Sequence, residues 1–193
     1  MNRKRLGIDI DGTLTRPDAL LPYINKKFQL NLTLKDITQY ELHPLVNIPR
    51  EIFSQWFKET EPEIYAGSQA AEGAKDALRD WKDEQDLYII SARSSHLMDV
   101  TQTWFSQQEI DFHHIELIGS HNKVATAKKH GIDIFFEDKH DNAVDISEEC
   151  GIPVILFNTP YNQDPVPESV VRVNNWTEAK AWVDGWLKIA DVK

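Results

Sequence analysis

Two aspartates separated by one residue, Asp9 and Asp11, close the apolar run Leu6-Gly7-Ile8 and are followed at once by Gly12 and Thr13. In an extended strand, residues i and i+2 share a face, so both carboxylates leave the strand end on one side. Like charges that close repel unless a cation lies between them or one carboxyl keeps its proton, and either outcome is chemistry. Carboxylate oxygens are hard donors, which favours Mg²⁺. Asp-Gly also makes an ordinary solvated turn, so the weight falls on the polar residues that end the later apolar runs.

Those residues are informative. Ser91 follows Leu87-Tyr88-Ile89-Ile90, and Glu137 with Asp138 follows Ile132-Asp133-Ile134-Phe135-Phe136; Lys123 opens the helix before that last run. In a parallel sheet all these strand ends share one edge. A carboxylate beside a metal can attack phosphorus and form an aspartyl phosphate. A second carboxylate can protonate the leaving oxygen and then take a proton from water. A hydroxyl, backbone N–H groups and a helix N-terminus can hold phosphate oxygens. Lysine and Mg²⁺ offset charge on a transferring phosphoryl group, and a late acidic residue completes a metal site.

The positioning elements alternate after residue 68. Ala70, Ala71, Ala74, Ala77, Leu78 and Trp81 form a helical stripe, and Leu87–Ile90 reads as a buried strand. Leu97, Val100, Thr101, Trp104 and Phe105 keep helical spacing. A short strand over Ile115–Ile118 precedes a helix over Asn122–His130, with Gly131 as its C-cap. The strand ending at Phe136 is followed by a helix bearing Ala143, Ile146 and Cys150, a strand over Val154–Phe157, and a last helix carrying Ala179, Trp182, Val183, Trp186, Leu187 and Ala190. The pattern predicts an α/β, Rossmann-like fold: a mostly parallel sheet with helices on both faces. Residues 16–67 break the alternation, with no convincing strand and several helix starts: Pro17 and Pro49 suit first turns, and Thr33 with Asp36 resembles a capping box. This stretch reads as a small helical cap inserted after the first strand, on a core of residues 1–15 and 68–193. Ligands bind beyond the C-terminal ends of parallel strands, so a cap there can exclude water. Its stripe Ile52, Phe53, Trp56 and Phe57 is read first as packing, and second as a surface for stacking a base.

The ordered set Asp9-x-Asp11-Gly12-Thr13, Ser91, Lys123 and Glu137-Asp138 resembles the four motifs of the haloacid dehalogenase superfamily of phosphohydrolases, over residues 6 to about 157. The resemblance implies Asp9 as nucleophile and Asp11 as general acid/base. It implies Ser91 and Lys123 on the phosphoryl group, and Mg²⁺ held by Asp9, Asp138 and the backbone carbonyl of Asp11; Ala92 and Arg93, next after Ser91, and Thr13 are read as further phosphate contacts, with a surface charge as the other reading of Arg93. Response-regulator receiver domains use similar residues in another order, with the lysine last; here the lysine precedes the final acidic pair. Within the superfamily the chain is similar to the 5'(3')-deoxyribonucleotidase group with its bacterial nucleotidase members, through the short helical insert, the Ile134–Asp138 segment with Asn142, and overall size. Ser91-Ala92-Arg93 replaces the Thr-Ser-Pro of animal members, and Glu137 stands where Asp is common. The implied activity is Mg²⁺-dependent hydrolysis of a nucleoside monophosphate; a phosphatase of another small metabolite such as a sugar phosphate, or a catalytically silent nucleotide-binding regulatory domain, are the alternatives.

Composition sets the outer limits. With 193 residues, 41% hydrophobic and six Trp, there is material for one substantial core. A net charge of −10 disfavours nucleic-acid polymers and anionic membranes as partners, leaving a small phosphate ester; a homodimer stays open. The basic start Met1–Arg5 precedes only a strand-length apolar run and does not read as a signal peptide. No run approaches a membrane span. Cys150 is the single cysteine, so no intrachain disulfide forms, consistent with a reducing cytoplasm. Tyr161 and Asn162 follow a strand end and could edge the site. His113, His114 and His121 show no acidic or cysteine partner at ligand spacing and are expected in surface or loop roles.

Overall fold

The computed structural model describes residues 3–190; Met1 and Asn2 of the basic start and residues 191–193 lie outside it. One six-stranded sheet runs in the order β3-β2-β1-β4-β5-β6. Its strands are β1 (Arg5–Ile8), β2 (Asp86–Ser91), β3 (His114–Leu117), β4 (Ile134–Glu137), β5 (Val154–Phe157) and β6 (Val170–Val173). Every pairing is parallel. β1 is central, with Ile8 in register with Ile89 of β2 and Phe136 of β4. The chain adds strands to one side of β1 and then to the other, so the sheet's switch point lies between β1 and β4, the place where open α/β sheets bind ligands.

Two hydrophobic layers cover the sheet. On one face α3 (Ala74–Trp81), α4 (Met98–Gln108) and α7 (Trp176–Ala190) pack Trp81, Trp104 and Trp176 onto Ile8, Ile89 and Phe136. On the other, α5 (Val124–His130) and α6 (His140–Cys150) set Ala127, Ala143 and Ile146 against Ile90, Phe135 and Leu156. Strands buried on both faces explain the near-continuous apolar runs of β4 and β5. Gly7 is required by this packing: a Cβ there would lie 2.5 Å from the Phe135 ring. Among the described residues no helix is long and apolar enough to cross a membrane.

Residues 16–67 hold no strand among the described residues; they form α1 (Leu21–Phe28), a 3₁₀ turn (Leu34–Asp36) and α2 (Arg50–Gly67). Thr33 and Asp36 make the reciprocal capping box their spacing predicts. Pro49 is the N-cap of α2 and Pro17 lies in a turn, so neither occupies a first helical turn. Ile24, Val46 and Trp56 form a separate small core with Phe28 and Phe53 around them. Ile52 is 57% exposed and drops out of the expected stripe. Ile64 and Tyr65, near the end of α2, already belong to the main core.

Two further expectations change. The stripe beginning at Ala70 is helical only from Ala74: Ala70 instead bridges Thr15, and the Ala71 N–H donates to the Leu14 carbonyl at 2.8 Å. The sequence reading also gives no strand at Val170–Val173. This is β6, an edge strand four residues long. Arg172 interrupts its apolar pattern because its guanidinium reaches out to the Asn162 side-chain oxygen at 2.8 Å.

Candidate active site

The segment after β1 is a tight turn that brings both aspartates to the sheet edge. The Asp9 N–H donates to the Phe136 carbonyl at 3.0 Å, carrying the β1–β4 ladder up to the first carboxylate. The chain then reverses at Gly12, whose φ is +82°. Only glycine fits, because a Cβ there would overlap the Asp138 carboxylate. The Gly12 N–H donates to Thr15 Oγ1 at 3.1 Å, and the Trp176 indole N–H donates to the Thr13 carbonyl at 3.0 Å. The first residue of α7 thus pins the loop from the opposite end of the sequence.

Beside this turn lies a buried charge cluster. Lys123, 2% exposed, places Nζ 2.5 Å from Asp9 Oδ1 and 2.8 Å from Glu137 Oε1. Glu137 Oε1 also accepts from the Asn142 amide at 2.5 Å, and Glu137 Oε2 accepts from the Asp138 N–H at 2.9 Å. The Tyr161 hydroxyl donates to Asp138 Oδ2 at 2.6 Å, and the Asn162 amide donates to the Asp138 carbonyl at 2.6 Å. Carboxylate oxygens of Asp9, Glu137 and Asp138 all lie within 4.8 Å of one another. One ammonium cannot balance that much buried negative charge. Burial, opposed by Lys123 and reinforced by Glu137 and Asp11, pushes the Asp9 carboxyl up to about 7. Burial with Glu137 and Asp9 alongside holds Asp138 well above the carboxylate range. Glu137, against the same cost of burial, is kept low by Lys123 and its hydrogen-bond donors.

Asp11 has a different partner. Arg93 Nε and Nη2 donate to its two oxygens at 2.9 and 2.7 Å, a bidentate pair. The guanidinium also donates to Thr101 Oγ1 at 3.1 Å and lies 3.8 Å from the centre of the Tyr65 ring. The Arg93 side chain is fully buried while that of Asp11 is 41% exposed. Arg93 is therefore spent on holding Asp11. Ser91 is buried with its Oγ accepting the Arg93 N–H at 3.2 Å.

The cleft above these groups has a volume of about 490 Å³, within the roughly 300–1,000 Å³ of small-molecule sites. Asp9, Asp11, Ser91, Ala92, Arg93, Lys123 and Asp138 all border it, as do Phe53 and Phe57. Trp56 does not; it is buried in the insert's own core, edge-on to Phe28. Thr13 lies beneath, 1% exposed, its hydroxyl without a partner among the described residues. Sequence reasoning missed Tyr40, which leaves the insert to pack on His121 and Tyr161 and lies under the Lys139 ammonium, 4.5 Å from its ring centre. A lone aromatic in Gln39-Tyr40-Glu41 carries no periodic signal. The histidines divide: His121 borders the cleft, and His113 Nδ1 accepts the Leu87 N–H at 2.9 Å. The expectation that no acidic partner stands by them is corrected at His114, whose Nε2 lies 3.7 Å from Glu116 Oε2, because i and i+2 share a strand face.

The family model described as "5' nucleotidase, deoxy (Pyrimidine), cytosolic type C protein" matches residues 3–187. The chain is 54% identical over 186 residues to "Putative nucleotidase BH1399" of Halalkalibacterium halodurans, covering 96% of this chain and 95% of that one. It is 50% identical over 180 residues to "Putative nucleotidase YqfW" of Bacillus subtilis, covering 93% of each. Among solved structures, the haloacid dehalogenase-like hydrolase SP0104 of Streptococcus pneumoniae superposes with a TM-score of 0.66 at 15% identity, covering 94% of this chain and 98% of the other, which shows a shared fold.

Proposed function

The chain belongs to the family of 5' nucleotidase, deoxy (pyrimidine), cytosolic type C proteins, phosphoric monoester hydrolases of the haloacid dehalogenase superfamily, and from that premise we propose that it hydrolyses nucleoside monophosphates through an aspartyl phosphate on Asp9. The observation that carries the proposal is the buried Asp9–Lys123–Glu137–Asp138 cluster, open on one side to a cleft that Asp11 also faces.

Asp9, Asp138 and the backbone carbonyl of Asp11 would hold Mg²⁺: they form an all-oxygen set in a site with surplus buried negative charge. When bound, the ion offsets charge on the phosphoryl oxygens and keeps Asp9 ionised at neutral pH. An Asp9 carboxylate oxygen bonds to phosphorus as the ester P–O bond breaks, and Asp11, having taken a proton from the solvent on its exposed side in place of one Arg93 bond, gives that proton to the leaving alcohol oxygen. Asp11, now a carboxylate, takes a proton from water. The water oxygen bonds to phosphorus and the Asp9–P bond breaks, releasing inorganic phosphate. The Lys123 ammonium holds Asp9 in place and sits beside the developing phosphoryl charge. Ser91 Oγ and the backbone around Ala92 supply phosphate contacts, with Thr13 beneath. Residues 16–67 act as the cap that excludes water, and Phe53 and Phe57 present an apolar wall to the nucleobase.

A substrate panel tests this reading. EDTA is expected to abolish phosphate release and added Mg²⁺ to restore it. Deoxyribonucleoside monophosphates are expected to exceed sugar phosphates at least tenfold in kcat/KM. Equal rates would assign the site to general metabolite phosphates, and no turnover despite Mg²⁺ binding would make the chain a silent nucleotide-binding domain.

Arg93 separates two roles. As the residue that positions Asp11, its replacement in Arg93→Lys is expected to lower kcat about 100-fold, the scale of a misplaced catalytic group, with KM changed by less than threefold. A phosphate contact would instead raise KM and spare kcat.

A further inference from the structure

Away from the cleft, three side chains with metal-binding donors converge. His114 and Glu116 project from the same face of β3, the edge strand, and His130 is the last residue of α5. Glu116 Oε2 lies 2.7 Å from His130 Nε2 and 3.7 Å from His114 Nε2. One donor atom from each of the three residues lies within 4.8 Å of the others. The imidazoles are packed in place, with ring centres 4.6 Å apart, and Tyr88 lies against both at 5.2 and 5.3 Å. Arg5 fixes the end of α5 by donating to the His130 carbonyl at 2.8 Å.

A surface ion pair accounts for part of this. Lys129 Nζ and His130 Nε2 both approach Glu116. It does not account for His114, whose Nε2 atom is buried and has no hydrogen-bond partner among the described residues. A buried polar atom left without a partner costs free energy. This one points at the carboxylate from just beyond hydrogen-bond range.

We propose that His114, Glu116 and His130 bind a divalent transition-metal ion, Zn²⁺ by preference, through two imidazole nitrogens and one carboxylate oxygen. Two nitrogens and an oxygen, with a fourth position open to water, form a common zinc donor set. Ligand atoms about 2.0–2.2 Å from an ion in tetrahedral array are about 3.3 Å apart, between the two separations seen here. Binding gives the stranded His114 nitrogen a partner. It also exchanges the Lys129 ammonium, on a 61% exposed side chain, for the metal at Glu116. The catalytic cluster is all oxygen, whereas imidazole favours Zn²⁺ over Mg²⁺, so the two sites select different ions. The ion would clamp edge strand β3 to the far end of the helix that Lys123 begins. Seven residues at 1.5 Å rise put the clamp about 10 Å from the catalytic lysine.

Zn²⁺ titration by calorimetry, in Mg²⁺ sufficient to saturate the acidic cluster, tests the proposal. The wild-type chain is expected to bind one Zn²⁺ with a micromolar or tighter Kd. At a 100-fold excess over Kd the thermal midpoint should rise by roughly 5 °C. Glu116→Gln and His130→Gln, which preserve side-chain bulk, should each weaken binding at least tenfold while circular dichroism stays unchanged. Lys129→Met, which removes the competing cation, should tighten it about threefold. Binding equally tight in Glu116→Gln and His130→Gln, or no Zn²⁺ bound at millimolar concentration, would overturn it. The readout does not involve phosphate release, so its failure is distinct from failure of the nucleotidase reading.

Discussion

Asp9→Asn is expected to lower kcat on any phosphate monoester by roughly four orders of magnitude or more, the scale seen when a covalent nucleophile is removed, while the protein stays folded. The fold tolerates the change for a stated reason. Asn keeps the shape and leaves Lys123 its second partner, Glu137 Oε1 at 2.8 Å. It also removes one of the carboxylates crowded within 4.8 Å of one another, so thermal stability without Mg²⁺ should hold or rise. Activity on a generic aryl phosphate and a melting curve, measured on one preparation, decide the matter. Undiminished hydrolysis would remove the nucleophile assignment, and a collapsed melting curve would remove the account of the cluster.

Lys123→Met carries the largest expected effect on stability. Breaking a buried ion pair by deleting one partner costs about 3–5 kcal/mol, and here the deletion strands Asp9 and Glu137 together. The pH dependence follows from the direction of their shifts. Asp9 already titrates at about 7, above the carboxylate of an unfolded chain. Without the ammonium the Asp9 value rises further and Glu137 loses the partner that keeps it low. The folded form then binds more protons than the unfolded form above about pH 4, so stability falls as pH rises. Urea unfolding should show a small deficit near pH 5.5 and the full deficit near pH 8, with Mg²⁺ recovering part of it. A loss of equal size at both pH values would mean that packing, and not charge, is what Lys123 supplies.

The site was legible because its residues are punctuation. Asp9, Asp11, Ser91, Lys123, Glu137 and Asp138 each end or begin an apolar segment, and a parallel sheet converts that position into proximity. The five strands with strong apolar runs were readable for the same reason. β6 was not, since an edge strand needs only partial burial and Arg172 breaks its pattern. Pairwise geometry was not readable either. Nothing in Ser91-Ala92-Arg93 says that the guanidinium turns toward Asp11 and not toward the cleft; that depends on Thr101 and Tyr65, from two separate helices. The His114–Glu116–His130 group was hidden because its third member comes from a helix end.

The bond from Trp176 to the Thr13 carbonyl has a consequence during synthesis. A growing polypeptide that still lacks α7 has every acidic side chain of the cluster, yet the reversal that presents Asp9 and Asp11 is held only by its bonds to Thr15, Ala71 and Phe136 and not by the indole. The turn should therefore reach its final rigidity only after residue 176 has left the ribosome, long after its own aspartates were made.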